Sequence, residues 1–515
     1  MFTKEKKMNR KKIISLLIAM AVLVGTSALV SCKTEHGKPG ESTKNTDGGS
    51  DERQYRPDVP EGLDFKGANF DVLGMDPELY QSTIVEFDFD EAPGEGINSA
   101  IYKRNRRIEH DYNIVFRSEY GAIEEMSDAI SEEVRADEDT YKLIMLISRE
   151  AFPHSLQGDV MPYQTIPYVN LDQPWYIKNV NDSFSIYGYN VLAYTDECMN
   201  AYMQSVCVFF NMGIVKGNAN IDNPYDLLEA GKWTLDDFYR LANNAIYDVN
   251  GNGTYSAAEN HIFGVISEGD AFYPGMWVGS GTTTIEKDRR GMPSYTAYSN
   301  EKLIGILEKL TENLAKDGFF CQTWVEFSNV VGGGDAQRNA AVEYFSRGGG
   351  LFRVGTIGQI QLLRDMEADF GIVPLPKYDE AQQTYYSRMV DGWIHVAPST
   401  VRDRNMLGVI IEALGAESKN LVIPEFFDVA LNYKLIRDED IERTRKSLDL
   451  IFGNAAMDLG ETIWQNNIRN TIISMLDQKD NNFVSALTAI KDTVEEKCIN
   501  ETLRQITELK KAVGE

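Results

Sequence analysis

The apolar residues between positions 69 and 147 change period repeatedly, and this constrains the fold more than any other feature. Asn69-Phe70-Asp71-Val72-Leu73 reads as a strand. Ile97, Ile101 and Ile108, with Tyr112 closing the stripe, return at helical spacing and predict a helix over 97–111. Tyr112 to Phe116 reads as a strand, about 122–136 as a helix, and Lys142 to Ile147 as a buried strand. Neighbouring parallel strands need crossover helices, so this β-α-β-α-β order predicts a largely parallel sheet flanked by helices, an α/β fold.

The alternation recurs downstream. Val206 to Phe210 is apolar, Leu235 to Ala245 helical and Phe263 to Ser267 strand-like. Leu303 to Leu314 reads as a helix, and Ala341 to Phe345, Phe370 to Leu375 and Trp393 to Ala397 as strands. A helix follows over 403–417, and the tail from about 440 is helical, with Leu503, Ile506 and Leu509 on one stripe. A chain of 515 residues holds roughly three domain-equivalents of about 150 residues, which fits two large α/β lobes. Ligands of such folds sit at strand carboxyl ends or between lobes.

Charge removes several function classes. The net charge is −27, and residues 1–31 are themselves basic, so the body is more acidic still. A phosphate-binding surface must be positive, which excludes a general nucleic-acid binder, and broad adhesion to anionic lipid is disfavoured for the same reason. Five histidines and five cysteines, all scattered, leave few ways to build a zinc or thiol-catalytic site. Cys198, Cys207, Cys321 and Cys498 read as buried free thiols. Gly332-Gly333-Gly334 and Gly348-Gly349-Gly350 lack the Lys-Ser/Thr of a phosphate loop and read as flexible loops. No nucleophile elbow, zinc-protease helix or dinucleotide fingerprint is present, so no enzyme is expected. A secreted glycosidase stays open as an alternative, since its paired carboxylates leave no local signature in so acidic a chain.

The N-terminus sets the compartment. Lys4, Lys6, Lys7, Arg10, Lys11 and Lys12 precede an almost wholly apolar run from Ile13 to Val30, the pattern of a secretory signal. Leu29-Val30-Ser31-Cys32 resembles the bacterial lipobox, which implies cleavage after residue 31 and a lipid on Cys32. Lipid chains partition at about 0.8 kcal/mol per buried CH₂, so two or three together anchor firmly. Residues 33 to about 60 are almost devoid of apolar side chains and read as a flexible tether, holding a body at the outer face of the cell membrane.

The sharpest local motif is Asp248-Val249-Asn250-Gly251-Asn252-Gly253-Thr254-Tyr255-Ser256-Ala257-Ala258-Glu259. It fits the calcium loop D-x-[DN]-x-[DN]-G-x₅-E at every required position. Asp248, Asn250 and Asn252 offer side-chain oxygens, Thr254 its carbonyl, Ser256 a hydroxyl or bridging water, and Glu259 a bidentate carboxylate. With two charged ligands the affinity should suit extracellular Ca²⁺, and the ion's role should be structural.

Several segments together resemble the extracellular solute-binding proteins of ABC sugar importers, the maltose-binding-like family 1, in particular a subgroup found as lipoproteins in Gram-positive bacteria. They are Arg104-Asn105-Arg106-Arg107-Ile108-Glu109, Pro174-Trp175-Tyr176, Val208-Phe209-Phe210-Asn211, Pro224-Tyr225-Asp226, Gly231-Lys232-Trp233-Thr234, 369–378 from Asp369 to Tyr378, and Arg437-Asp438-Glu439. The resemblance spans about 65–515. It implies a type II periplasmic-binding-protein-like fold, two α/β lobes with three hinge crossings near 195–205, 388–395 and 430–440. On that reading the signal peptide is 1–31 and the tether 32–62. Lobe 1 is 63–198 plus 392–434, and lobe 2 is 199–391 plus 435–515.

The resemblance further implies a monomeric receptor that binds a sugar or oligosaccharide and hands it to ABC permease subunits. A receptor feeding a sensor kinase would use the same lobes. Sugars are held by aromatic faces and planar polar side chains. Trp277 in a Gly-flanked segment, Trp393 at the second expected crossing, and Trp464 in the C-terminal helical region are the aromatic candidates, whereas Trp175 and Trp233 read as packing residues. Asp196 and Tyr202, with Glu197 and Asn200, lie near the first expected crossing. Unlike maltose binders, the stretch after Phe345 has no Trp and runs Ser346-Arg347-Gly348, which argues against a maltodextrin. An acidic sugar held by Arg347, a short oligosaccharide and another solute remain open.

Overall fold

The computed structural model describes residues 53–76, 84–87, 96–363, 366–432 and 440–513. The expected leader, Cys32 and most of the tether lie outside the described residues, as do Arg437-Asp438-Glu439 and most of the third expected crossing.

Among the described residues, nine strands build two mixed sheets. They are β1 (Ala68–Met75), β2 (Ile114–Gly121), β3 (Leu143–Ile147), β4 (Val206–Asn211), β5 (Phe263–Ser267), β6 (Phe320–Gln322), β7 (Gly350–Thr356), β8 (Phe370–Val373) and β9 (Trp393–Val396). The first sheet has the order β9-β3-β1-β2. β1 is parallel to β2 and β3, and β9 returns antiparallel with Trp393 opposite Ile147. The second has the order β8-β4-β7-β5-β6, with β5, β6 and β7 parallel and β4 and β8 antiparallel to their neighbours.

Sequence pattern accounts for the elements. β3, Leu-Ile-Met-Leu-Ile, is buried at every position, as an interior strand covered on both faces requires. The helix Ile97–Tyr112 buries Ile101 and Ile108 and stops where Asn113 adopts a left-handed φ of 51°. The helix Leu235–Ala245 starts at Thr234, whose side chain accepts from the Asp237 N–H at 3.3 Å. In the helix Arg404–Glu417, a Cβ on Gly408 would sit 1.8 Å from the Pro167 carbonyl oxygen, so only glycine allows that close approach.

The chain passes from the first sheet to the second after the short helix Met199–Met203 and returns at 387–392. The two passages run side by side: the Val390 N–H donates to the Gln204 carbonyl at 3.0 Å, and Ser205 bridges Met389. After β9 the chain packs Arg404–Glu417 onto Ile97–Tyr112 beside the first sheet. The helix Ile441–Gly453 then packs on β8 in the second.

Three expectations need correction. Ala341 to Phe345 is not a strand but the end of the helix Gly333–Ser346. Its buried residues Ala341, Val342, Tyr344 and Phe345 recur at helical spacing, and the neighbouring strand is β7, which starts at Gly350. The glycines read as loops therefore begin a helix and a strand. The tether ends earlier than residue 62. Arg53 pairs with Asp111 and Glu417, and Tyr55 exchanges backbone hydrogen bonds of 2.9 and 2.8 Å with the Asn420 amide. Finally, the Gly-flanked segment around Trp277 is the buried helix Gly269–Gly279. Cys198, Cys207, Cys321 and Cys498 are buried free thiols.

Candidate functional site

The strand ends locate the site. In the first sheet the parallel strands end at Met75, Gly121 and Ile147; in the second, β5, β6 and β7 end at Ser267, Gln322 and Thr356. The paired passages at 204–205 and 389–390 adjoin these edges: the Ser148 N–H donates to the Gly392 carbonyl at 3.2 Å, and Val206 lies opposite Thr356.

On the first side, Asp391 caps the turn out of β3. Its carboxylate accepts from the Ser148 hydroxyl at 2.7 Å, from the Arg149 N–H at 3.0 Å, and from the Arg149 guanidinium. Arg149 stays 40% exposed, so part of its fork is free to face a solute. On the second side, Arg353 in β7 donates twice to Glu268 at 2.7 Å and fixes the start of the helix Gly269–Gly279. Arg388 links that helix to the C-terminal region. It donates to the Asp270 carbonyl at 3.1 Å and bidentately to Glu461 at 2.9 and 2.6 Å. The Asp270 carboxylate receives the Trp324 indole N–H at 3.0 Å, holding a half-buried ring at the same edge. Arg469 feels Glu461, Arg388, Asp270 and Asp391 together; burial holds its guanidinium below the usual value, and its Nε has no hydrogen-bond partner among the described residues.

A small recess at the carboxyl edge of β1 and β2, lined by Gly74, Met75, Glu86, Tyr120 and His395 among others, has a cavity volume of about 10 Å³, the size of a single water site. Behind it, Arg104 is fully buried against Glu86 (3.3 Å), the Glu197 carbonyl (3.1 Å) and Ser418 (3.0 Å). Glu197 pairs with His395 Nδ1 at 2.8 Å. Burial raises the Glu86 carboxyl. These charged groups are buried and paired with one another, so they stiffen this edge from behind, and the accessible polar group beside it is Arg149.

The structure brings together some of the residues singled out from sequence and separates others. The Tyr202 hydroxyl donates to Asp196, and Lys419 pairs with the other Asp196 oxygen at 3.0 Å. Both acidic partner and tyrosine are buried, Tyr202 packing on Phe426 and Phe452, and burial pushes the Asp196 carboxyl up to about 6. Trp393 is half-buried at the start of β9, two residues from Asp391. Trp277 is wholly buried with its N–H on Asp458 at 3.2 Å, and Trp464 is buried in the same core. Arg347 lies at the opposite edge of the second sheet, before β7, and is 65% exposed beside Glu343. The loop 248–259 precedes β5 at that same far edge.

Asp248 accepts N–H groups of Asn250, Gly251 and Gly253 at 3.2, 2.7 and 2.8 Å, bonds that hold its carboxyl below the usual range. Arg149, Asp270, Arg388, Glu461 and Arg469 escaped sequence reasoning; the one usable signal was the Asp391-Gly392 turn before Trp393.

No protein-family model and no curated protein matches the sequence. Solved structures do. An extracellular solute-binding protein from Staphylococcus aureus in complex with maltose superposes with a TM-score of 0.53 at 12% identity, covering 87% of this chain and 100% of that one. A maltose-binding periplasmic protein from Listeria monocytogenes in complex with maltose gives 0.51 at 10%, covering 84% and 98%. An ABC substrate-binding protein from Listeria monocytogenes in complex with cycloalternan gives 0.50 at 11%, covering 84% and 99%. The fold is thus that of the two-lobed periplasmic binding proteins. Within that fold this chain is similar to the maltose-binding type.

Proposed function

We propose that this chain is an extracellular receptor that captures a sugar or short oligosaccharide between its two sheets and delivers it intact to the permease of an ABC importer. The observation that carries the proposal is the cluster of Arg149, Asp391, Arg388, Glu461, Asp270 and Trp324 where the carboxyl edges of both sheets meet the paired chain passages. Lobes bounded at 63–198 plus 392–434 and 199–391 plus 435–515 would hinge at those passages. A ligand that binds the closed arrangement better than the open one shifts the population to closed, which is the state a permease would read. No covalent step belongs to this function. Lipidation at Cys32 would keep the monomeric body within reach of the membrane.

The test is a thermal-shift screen of the chain against mono- and oligosaccharides, followed by mass spectrometry of the recovered sugar. A midpoint that climbs with free saccharide, with the sugar unchanged, is expected. Arg149→Lys, which keeps a cation beside the buried Asp391 carboxylate but loses the planar fork, should weaken binding by about tenfold or more while the unliganded midpoint stays close to wild type. Cleaved sugar, or no response to any glycan, would overturn the proposal. A mature mass lacking lipid would overturn the anchor alone.

A further inference from the structure

The loop between the helix Leu235–Ala245 and β5 is closed at its base. Tyr247 and Ile262 exchange backbone hydrogen bonds of 3.0 Å in each direction, which brings both ends of the loop into one place. Gly251 and Gly253 turn the chain at φ of 71° and 77°. The Asn252 amide lies 3.2 Å from Glu259 Oε2, spanning the loop from its middle to its end.

A second observation, independent of the loop's own turns, sits beneath it. His261 is fully buried, and neither ring nitrogen has a hydrogen-bond partner among the described residues. Its Nε2 faces the acidic pair, 3.4 Å from Glu259 Oε2 and 3.8 Å from Asp248 Oδ1. A neutral imidazole buried with no hydrogen-bond partner at either nitrogen is costly, and the side facing the two carboxylates has room for a donor. A hydrated cation is such a donor: the metal takes the carboxylates, and one of its waters donates to the imidazole.

The donor set selects the ion. Among the described residues, no three His, Cys, Asp or Glu side chains gather into a metal-holding group, so an ion here must draw on neutral oxygens as well. Asn250, Asn252 and the Thr254 carbonyl supply them at the motif's third, fifth and seventh positions. Oxygen-rich, flexible coordination with a water at the ninth position is what Ca²⁺ accepts, whereas softer ions prefer nitrogen and sulfur.

We propose that the Asp248–Glu259 loop is a calcium site whose bound water is received by the buried His261. The ion would staple the entry to β5 at the edge of the second sheet remote from the carboxyl-edge cluster. Its effect should therefore be on the stability of that sheet rather than on solute contacts.

The test uses the chain stripped with EGTA and titrated with calcium chloride in a calorimeter, with the thermal midpoint read in parallel. One site is expected, with a Kd on the order of 10⁻⁴–10⁻³ M as in extracellular modules, and a midpoint that rises with free calcium. Glu259→Gln and Asp248→Asn should each weaken binding by at least about tenfold, as expected for the loss of one of two charged ligands. Asn250→Ala, at an exposed position, keeps the test decisive if either variant fails to fold. His261→Ala should weaken calcium by a smaller factor. Calcium binding that is absent, or unchanged across Glu259→Gln and Asn250→Ala, would overturn the proposal. So would tighter binding of Zn²⁺ or Mn²⁺ that His261→Ala abolishes.

Discussion

The two sheets are held together with a different emphasis. Around the first, a network of buried charges joins distant segments, next to the smaller ring cluster of Phe70, Phe87 and Phe116. Arg104 ties the segment at 84–87 to Ile97–Tyr112, to the passage at 197 and to Ser418; Glu197 reaches His395; Glu417 receives Arg107 at 2.8 Å and Arg53 at 3.2 Å. Around the second, a ring cluster stands beside the buried pairs Arg353–Glu268 and Arg388–Glu461. Phe238 stacks on Phe352 at 4.8 Å, Trp233 meets both edge-on at 6.0 and 5.7 Å, and Phe272 and Phe320 extend the cluster. Connectivity does not separate the two sheets: β1, β2 and β3 lie within 68–147 and only β9 joins from 393–396, while β4 to β8 spread over 206–373. What differs is the kind of contact, directional and charge-assisted around Arg104, non-directional around Phe352.

The largest expected effects probe this contrast directly. Arg104→Met strands Glu86 as a buried carboxylate and should cost about 3–5 kcal/mol in urea unfolding. Adding Glu86→Gln should restore much of that loss, since removing both charges removes the need for pairing. Phe352→Ala in the second sheet should cost a similar 3–5 kcal/mol, but by leaving a cavity. Adding Phe238→Ala should deepen the loss. If the Arg104→Met, Glu86→Gln double variant were no more stable than Arg104→Met, the first sheet would not be organised by its charges.

The same contrast explains what the sequence let us read. Leu235–Ala245 and Phe263–Ser267 were recognisable because local signals agreed: an apolar stripe behind a Thr cap, then a short β-branched run. Ala341 to Phe345 misled because five mostly apolar residues fit a strand or a helix end equally, and tertiary position decided. Trp277 misled because its flanking glycines suggested a segment facing the cleft, whereas the glycines allow close approach inside the core: a Cβ on Gly279 would lie 2.7 Å from Leu375 Cβ. The carboxyl-edge cluster was illegible for another reason. Arg388 and Glu461 are 73 residues apart, and in a chain with 78 acidic residues no single carboxylate stands out until folding pairs it.

An intermediate effect concerns pH. Burial pushes Asp196 up to about 6 and Glu412, which accepts from Tyr176, up to about 7. A carboxyl whose folded value is raised binds its proton more tightly when folded, so its stabilising share is present below the unfolded value near 4. That share is lost as pH rises through the folded value. Each shift of about two units corresponds to about 3 kcal/mol. Unfolding free energy should therefore fall between pH 4 and pH 7, and Glu412→Gln should flatten the upper part of that slope. Asp458, raised to about 6 beneath Trp277, adds a similar term from the second sheet's side, so the contrast is one of emphasis. A stability that rises steadily from pH 4 to 7 would sink this reading.

The smallest effect tests how far the charged stitching of the first sheet extends. Arg53 is partly exposed, at 21%, and bridges Asp111 at 2.8 Å and Glu417 at 3.2 Å, pinning the segment 53–62 to the body with the help of Tyr55 and Asn420. Glu417 keeps Arg107 when Arg53 is removed, and Arg53 is itself open to salt screening, so Arg53→Ala should cost only about 0.2–1 kcal/mol, and less in high salt. The more telling readout is local. Hydrogen exchange over 53–62 should quicken in Arg53→Ala and in Asn420→Ala, while exchange in β3 stays slow, because such opening is a local event far below global unfolding. Exchange over 53–62 that is fast in the wild type would mean the charge stitching stops at the 97–112 helix, and that the tether reaches as far as residue 62 after all.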